Sequence, residues 1–176
     1  MSAASPWVAV ACAGLVILSG CGGSSQTPKP EPETVPFTGY FAGRSADGLG
    51  ASIDMAGFDT TAAVVDRALL RLDRPVALAI VAVVNGTDKA IACPRFVAQT
   101  LAGGSRPLRT ARAVLAGLPG TGARNAYRTV GPAPKRVRAG GSAQLYLVLD
   151  GATREEVLSI QMVVGDTRTT LASQQR

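Results

Sequence analysis

The sequence predicts an all-β domain, an antiparallel sandwich of about seven strands, and three observations carry that expectation. Near the C-terminus the apolar pattern has a period of two. SAQLYLVLD puts Ala143, Leu145, Leu147 and Leu149 on one face and Gln144, Tyr146 and Val148 on the other, while VLSIQMVVGD sets Leu158, Ile160, Met162 and Val164 against Val157, Ser159, Gln161 and Val163. Further upstream, VALAIVAVV is a β-rich apolar run, too short for a membrane span, that stops at Asn85-Gly86. Finally, 20 glycines and 11 prolines in 176 residues imply frequent turns, which suits short strands better than long helices.

Taken in order, the chain opens with twenty residues that carry no charged side chain. Within them, Trp7 to Leu18 (WVAVACAGLVIL) has the length of a signal-peptide apolar region and is too short to cross a hydrocarbon core of roughly 30 Å as a helix. Leu18-Ser19-Gly20-Cys21 follows, an aliphatic residue and two small ones before a cysteine, and it resembles the lipobox of bacterial lipoproteins. The resemblance implies that residues 1–20 are a lipoprotein signal peptide. It also implies that Cys21 is acylated and becomes the first residue of a mature chain held on the outer side of the cell membrane. MSAASP has no Lys or Arg, so the positive charge of such a signal falls to the α-amino group or to an upstream start. An ordinary apolar helix with an incidental cysteine is the competing reading.

Residues 21–36 read as a tether. Pro28, Pro30, Pro32 and Pro36 exclude a helix or a central strand, and the segment 22–36 reaches roughly 45 Å at about 3.1 Å per residue as polyproline II. The folded domain is expected over 37–176. FTGYFAGR and LGASIDMAGF flank SADG as two strands of a hairpin. DTTAAVVDRALLRLD is ambiguous: Asp59 suits an N-cap, but the alternation through Ala68, Leu70 and Leu72 favours a helical stub followed by a strand. VALAIVAVV is expected as the central strand, with Asn85-Gly86 supplying the positive φ of a tight hairpin. Pro94 interrupts AIAC and RFVAQTL, marking an edge or bulge, and Gly165-Asp166 turns the chain into a short last strand at RTTLA.

From about Asp66 to Ala172, the series VAVVNGTDKAI, AGGSAQLYLVLD and VLSIQMVV resembles the immunoglobulin-like, telokin-like extracellular domains of bacterial lipoproteins. That resemblance implies an immunoglobulin-like β-sandwich with a surface binding or structural role.

Composition narrows the chemistry. There is no histidine, which removes serine–histidine triads and His-based zinc sites, and three cysteines are too few for a thiolate cluster. Neither Lys89 nor Lys135 has a serine three residues before it. With Cys12 leaving in the signal and Cys21 acylated, Cys93 has no partner within the mature chain; it reads as a small buried hydrophobe or, less economically, as a reactive thiol. No catalytic residue, metal ligand or cofactor is expected, and the protein reads as a non-enzyme.

Charge is distributed unevenly. Between Asp88 and Asp150 there is no acidic residue, while Lys89, Arg95, Arg106, Arg109, Arg112, Arg124, Arg128, Lys135, Arg136 and Arg138 all lie there. Most fall in a Gly- and Pro-containing stretch expected to be a large loop with at most a short helix at LRTARAVLAG. Arg124, Arg128, Lys135, Arg136 and Arg138 are the candidate anion contacts, toward phospholipid headgroups, wall polymer or an acidic envelope protein; a solvated arginine-rich loop is the alternative. Nucleic acid is not expected, since Tyr127 is the one aromatic in the stretch. Two functions follow: a lipid-anchored, non-catalytic module that binds or organises envelope components, or an accessory lipoprotein holding a small ligand in a loop-capped pocket.

Overall fold

The structure is a computed structural model, and it describes residues 39–173. Cys21, the signal segment and the tether lie outside the described residues.

Among the described residues ten strands and three α-helices follow one another: β1 (Tyr40–Arg44), β2 (Leu49–Asp54), α1 (Thr60–Leu69), β3 (Val76–Asn85), β4 (Ile91–Ala92), β5 (Arg95–Thr100), β6 (Ser105–Thr110), α2 (Ala111–Leu115), α3 (Thr121–Val130), β7 (Arg136–Val137), β8 (Ser142–Asp150), β9 (Val157–Val164) and β10 (Thr167–Ser173). The domain is mostly β, as the periodicity predicts, but the sandwich is replaced by a closed barrel in the order β1-β10-β9-β5-β6-β8-β3-β2. Two strands that each serve two neighbours close it. β6 pairs with β5 through Ser105–Pro107 and with β8 through Leu108–Thr110; β10 pairs with β9 through Thr167–Leu171 and with β1 through Ala172 and Ser173. Pro107, which has no N–H to give, sits where β6 leaves β5 for β8.

The barrel interior is filled by Phe41, Ile53, Val81, Val83, Phe96, Leu145, Leu147, Leu149, Ile160, Met162 and Leu171. A second core lies outside the wall, where Leu78 of β3 and Val148 of β8 meet Val65 and Leu69 of α1, Val114 and Leu115 of α2, and Ala126 of α3. Helices over this part of the wall explain why β3 is buried on both faces at Ala77, Leu78 and Ala79, then alternates from Val81 to Asn85.

The first hairpin forms as SADG predicts, with Gly48 at φ +88° and its N–H bonded to Ser45 O. The expected strand over 68–72 does not form. Asp59 caps a helix by accepting from the Ala62 N–H at 2.6 Å, and Ala62, Val65, Ala68 and Leu69 bury one helical stripe, leaving Leu70 76% exposed. Nor is Asn85-Gly86 a tight hairpin. Asn85 is completely buried, Gly86 is not among the positive-φ glycines, and the chain goes on to a small separate sheet in which β4 pairs with β7. Gly86 is instead a close-approach residue, because a Cβ there would stand 2.9 Å from Gly48 O. On β9, a bulge against Gln99/Thr100 pairs Ser159 with Gln99 but Val157 with Thr100, so Leu158 leaves the inward face and Val157 enters the core.

Candidate functional site

The expected large basic loop is replaced by two strands, β6 and β7, and two helices, α2 and α3, and this divides the candidate cations between two places. Arg124 and Arg128 stand on α3. That helix forms because Ala123 and Ala126 recur on one stripe and are small enough for close packing against α1, with Tyr127 and Val130 beside them. The opposite stripe turns Arg124 and Arg128 outward, one turn apart and exposed. Between α2 and α3 lies a hollow of about 420 Å³ lined by Leu115, Ala116, Leu118, Arg124, Tyr127 and Arg128. The Arg112 guanidinium stacks 4.0 Å from the centroid of Tyr127, so a third cation flanks this hollow.

Two more arginines flank the other side of α3. Arg67 and Arg71 line a smaller recess with Val64, Ala68, Gly122 and Asn125. Arg71 lies against the first turn of α3, where a Cβ on Gly120 would stand 2.9 Å from its Nη1. A guanidinium at the positive end of a helix adds to the local potential. The charge pattern passed over Arg67 and Arg71 because Asp66 and Asp73 flank them in sequence and mask them in a count. Among the described residues the ion pairs are Arg74–Asp150 and Arg154–Glu155, and neither involves the arginines around α3.

Lys135, Arg136 and Arg138 lie at the other place, on and beside β7. Arg136 Nη2 donates to Ala90 O at 2.9 Å, while the Val137 and Arg138 carbonyls accept from Asn85 Nδ2 at 3.1 and 2.9 Å. Arg136, Val137 and Arg138 share a groove of about 430 Å³ with Pro134 and Gly141–Gln144. The five predicted cations thus form two groups: Arg124 and Arg128 line the α3 hollow, while Arg136 and Arg138 line the β7 groove with Lys135 beside it in the chain.

Cys93 is half-buried against the barrel core, and burial pushes its thiol pKa up, away from the reactive thiolate. At one end of the barrel a recess of about 70 Å³ is lined by residues including Ser45, Leu49, Ile91, Met162 and Val164, well below the roughly 300–1,000 Å³ of ordinary ligand pockets. A set of polar side chains gathers at Asp59, where Tyr146 Oη and Gln144 Nε2 donate to Oδ2 at 2.6 and 3.0 Å. It ties the start of α1 to the outer face of β8. Burial works against the Asp59 carboxylate, but hydrogen bonds from Tyr146, Ala62, Gln144 and Thr61 outweigh it and hold the pKa below its ordinary value. Among the described residues no three His, Cys, Asp or Glu side chains group as metal ligands would. Comparison of the chain with protein-family models, with curated proteins and with solved structures yields no match.

Proposed function

We propose that this chain is an envelope lipoprotein, anchored through acylated Cys21 on the extracytoplasmic side of the membrane, whose barrel is a non-catalytic binding or structural module that contacts anionic envelope components. The observation that carries the contact is the hollow beside α3. Its floor is apolar (Leu115, Leu118, Tyr127), its rim holds Arg124 and Arg128 with Arg112 nearby, and among the described residues no ion pair neutralises them. An apolar floor under a cationic rim matches a partner that presents anionic groups beside hydrocarbon, and anionic lipid headgroups have that chemistry. The small-ligand alternative has less support, because the barrel interior is packed with side chains.

The test separates anchor from contact. The segment from Val35 onward is a compact unit containing both cores, so residues 37–176 can be assayed without the lipid. That segment should sediment with phosphatidylglycerol vesicles at low salt and more weakly at physiological salt, where the Debye length is about 8 Å. Replacing Arg124 and Arg128 with Gln should remove most of the binding while leaving the melting temperature unchanged, since both are exposed. Equal binding by the double variant would refute the contact. In cells, Cys21→Ser should abolish labelling by radioactive palmitate, and persistent label would refute the anchor.

A further inference from the structure

We propose that the open half-edge of β8 is a docking site for an extended acidic peptide of a partner protein, which adds to the barrel as a short strand. This site is separate from the α3 hollow and does not depend on the lipid-contact reading.

β8 is paired with β3 along its whole length, Ser142 to Asp150, but with β6 only at Leu147, Val148 and Leu149. β6 ends at Thr110, whose side chain caps α2 by accepting from the Ala113 N–H at 3.3 Å. The barrel seam is therefore split: from Ser142 to Tyr146, among the described residues, no strand lies on the second side of β8, and only toward Gln144–Tyr146 does the α3–β7 connection (Gly131–Ala133) close in, across a recess of about 20 Å³. At about 3.4 Å per residue the part that lines the larger groove, Ser142 to Gln144, runs roughly 7 Å. Asn85 N–H donates to Gly141 O at 2.8 Å across the β3 side. In an antiparallel ladder alternate residues bond the same neighbour, so Ala143 and Leu145 face β3 while Ser142 and Gln144 turn their N–H and C=O groups away from it. The 430 Å³ groove lies beside these residues, and β7 forms its other wall.

The walls select the occupant. Successive side chains of an added strand point to opposite faces, and the groove offers apolar Val137 and Ala143 together with exposed Arg136 and Arg138. Lys135 adds a third cation nearby, and neither ion pair of the described residues involves any of the three. A peptide alternating Glu or Asp with small apolar residues satisfies both the unpaired main-chain groups and the charge. Strand addition at an exposed sheet edge works in this way, with main-chain bonds supplying affinity and side chains supplying selection. Edge strands left open invite pairing, and cationic side chains beside such an edge discourage copies of the same chain while admitting an acidic one.

The probe is the blocked pentapeptide Glu-Val-Glu-Val-Glu, added to the full chain in neutral detergent and read by amide hydrogen exchange. Exchange should slow at the Ser142 and Gln144 amides and stay unchanged at Ala143 and Leu145, which already bond to β3. Three controls should fail to protect: the Lys-for-Glu peptide, a peptide N-methylated at alternate residues, and the pentapeptide at high salt. The Arg136→Gln, Arg138→Gln double variant should weaken binding about tenfold, as two partly exposed charge contacts allow. Gln144→Pro should abolish binding, and the exposed arginine pair provides the measurement if that variant does not fold. Absence of protection at about 1 mM peptide, the boundary of useful affinity, overturns the proposal, as does equal protection by the N-methylated peptide. If a soluble anionic polymer protects the same amides as well as the peptide does, the site is a polyanion site and strand addition is refuted. Arg124→Gln, Arg128→Gln leaves this binding intact, so failure here and failure of the vesicle contact are distinguishable.

Discussion

Replacing Asn85 with Ala should be among the most damaging single polar substitutions in the domain. Its amide nitrogen lies 2.8, 3.1 and 2.9 Å from the carbonyls of Lys89, Val137 and Arg138, and its Oδ1 accepts from the Thr87 N–H at 3.0 Å and from Thr87 Oγ1 at 2.7 Å. Two amide hydrogens are shared among three carbonyls, so the side chain supplies the equivalent of four hydrogen bonds at a fully buried position. At about 1 kcal/mol net each, the loss is about 3–4 kcal/mol. Against a typical total of about 5–15 kcal/mol this is a large fraction, and at about 3 °C per kcal/mol it lowers the melting temperature by roughly 10 °C. Calorimetry and urea unfolding of residues 37–176 measure it directly. Because the lost bonds hold β7 against the end of β3, amide exchange at Val137 and Arg138 should rise before global unfolding. A variant within about 1 kcal/mol of the parent, or one whose β7 amides stay protected, would show that Asn85 is merely a turn residue and would refute the reasoning.

Two further predictions concern the bulge and the α1 cap. Leu158→Gln should change stability by less than about 0.5 kcal/mol, because the bulge leaves Leu158 56% exposed, whereas Ile160→Ala should cost about 2–5 kcal/mol; equal effects in urea unfolding would place both inside the barrel. Asp59→Ala should cost about 1 kcal/mol through the lost N-cap. Since the folded pKa of Asp59 is depressed, its contribution is present above the unfolded carboxylate pKa and is lost as pH falls through the folded one. The difference between parent and Asp59→Ala should therefore shrink on acidification below the ordinary aspartate range, and a difference that grows there would contradict the assignment.

What could be read from the sequence was whatever depends on local periodicity. The alternation in β8, the apolar run of β3, the SADG hairpin and the Gly165-Asp166 turn are set by residues a few positions apart, and each appears where the pattern puts it. The acid-free interval was legible as a count, but a count has no geometry. Only the tertiary structure decided that α1 runs through Leu69, because the deciding term is burial of Val65 and Leu69 against α2 and the outer wall of β3 and β8, a contact between distant segments. The same helices make apolar Val148 a core residue on the outward face, which a single-faced strand pattern does not anticipate. Closure of the barrel rests on β6 and β10 each dividing their hydrogen bonds between two neighbours, and the Leu158 bulge rests on register with β5. Register and closure are relations between strands, fixed by hydrogen bonds and packing across the sheet. For the same reason the five candidate cations, close together in the chain, separate into an α3 pair and a β7 group once the segment between them folds.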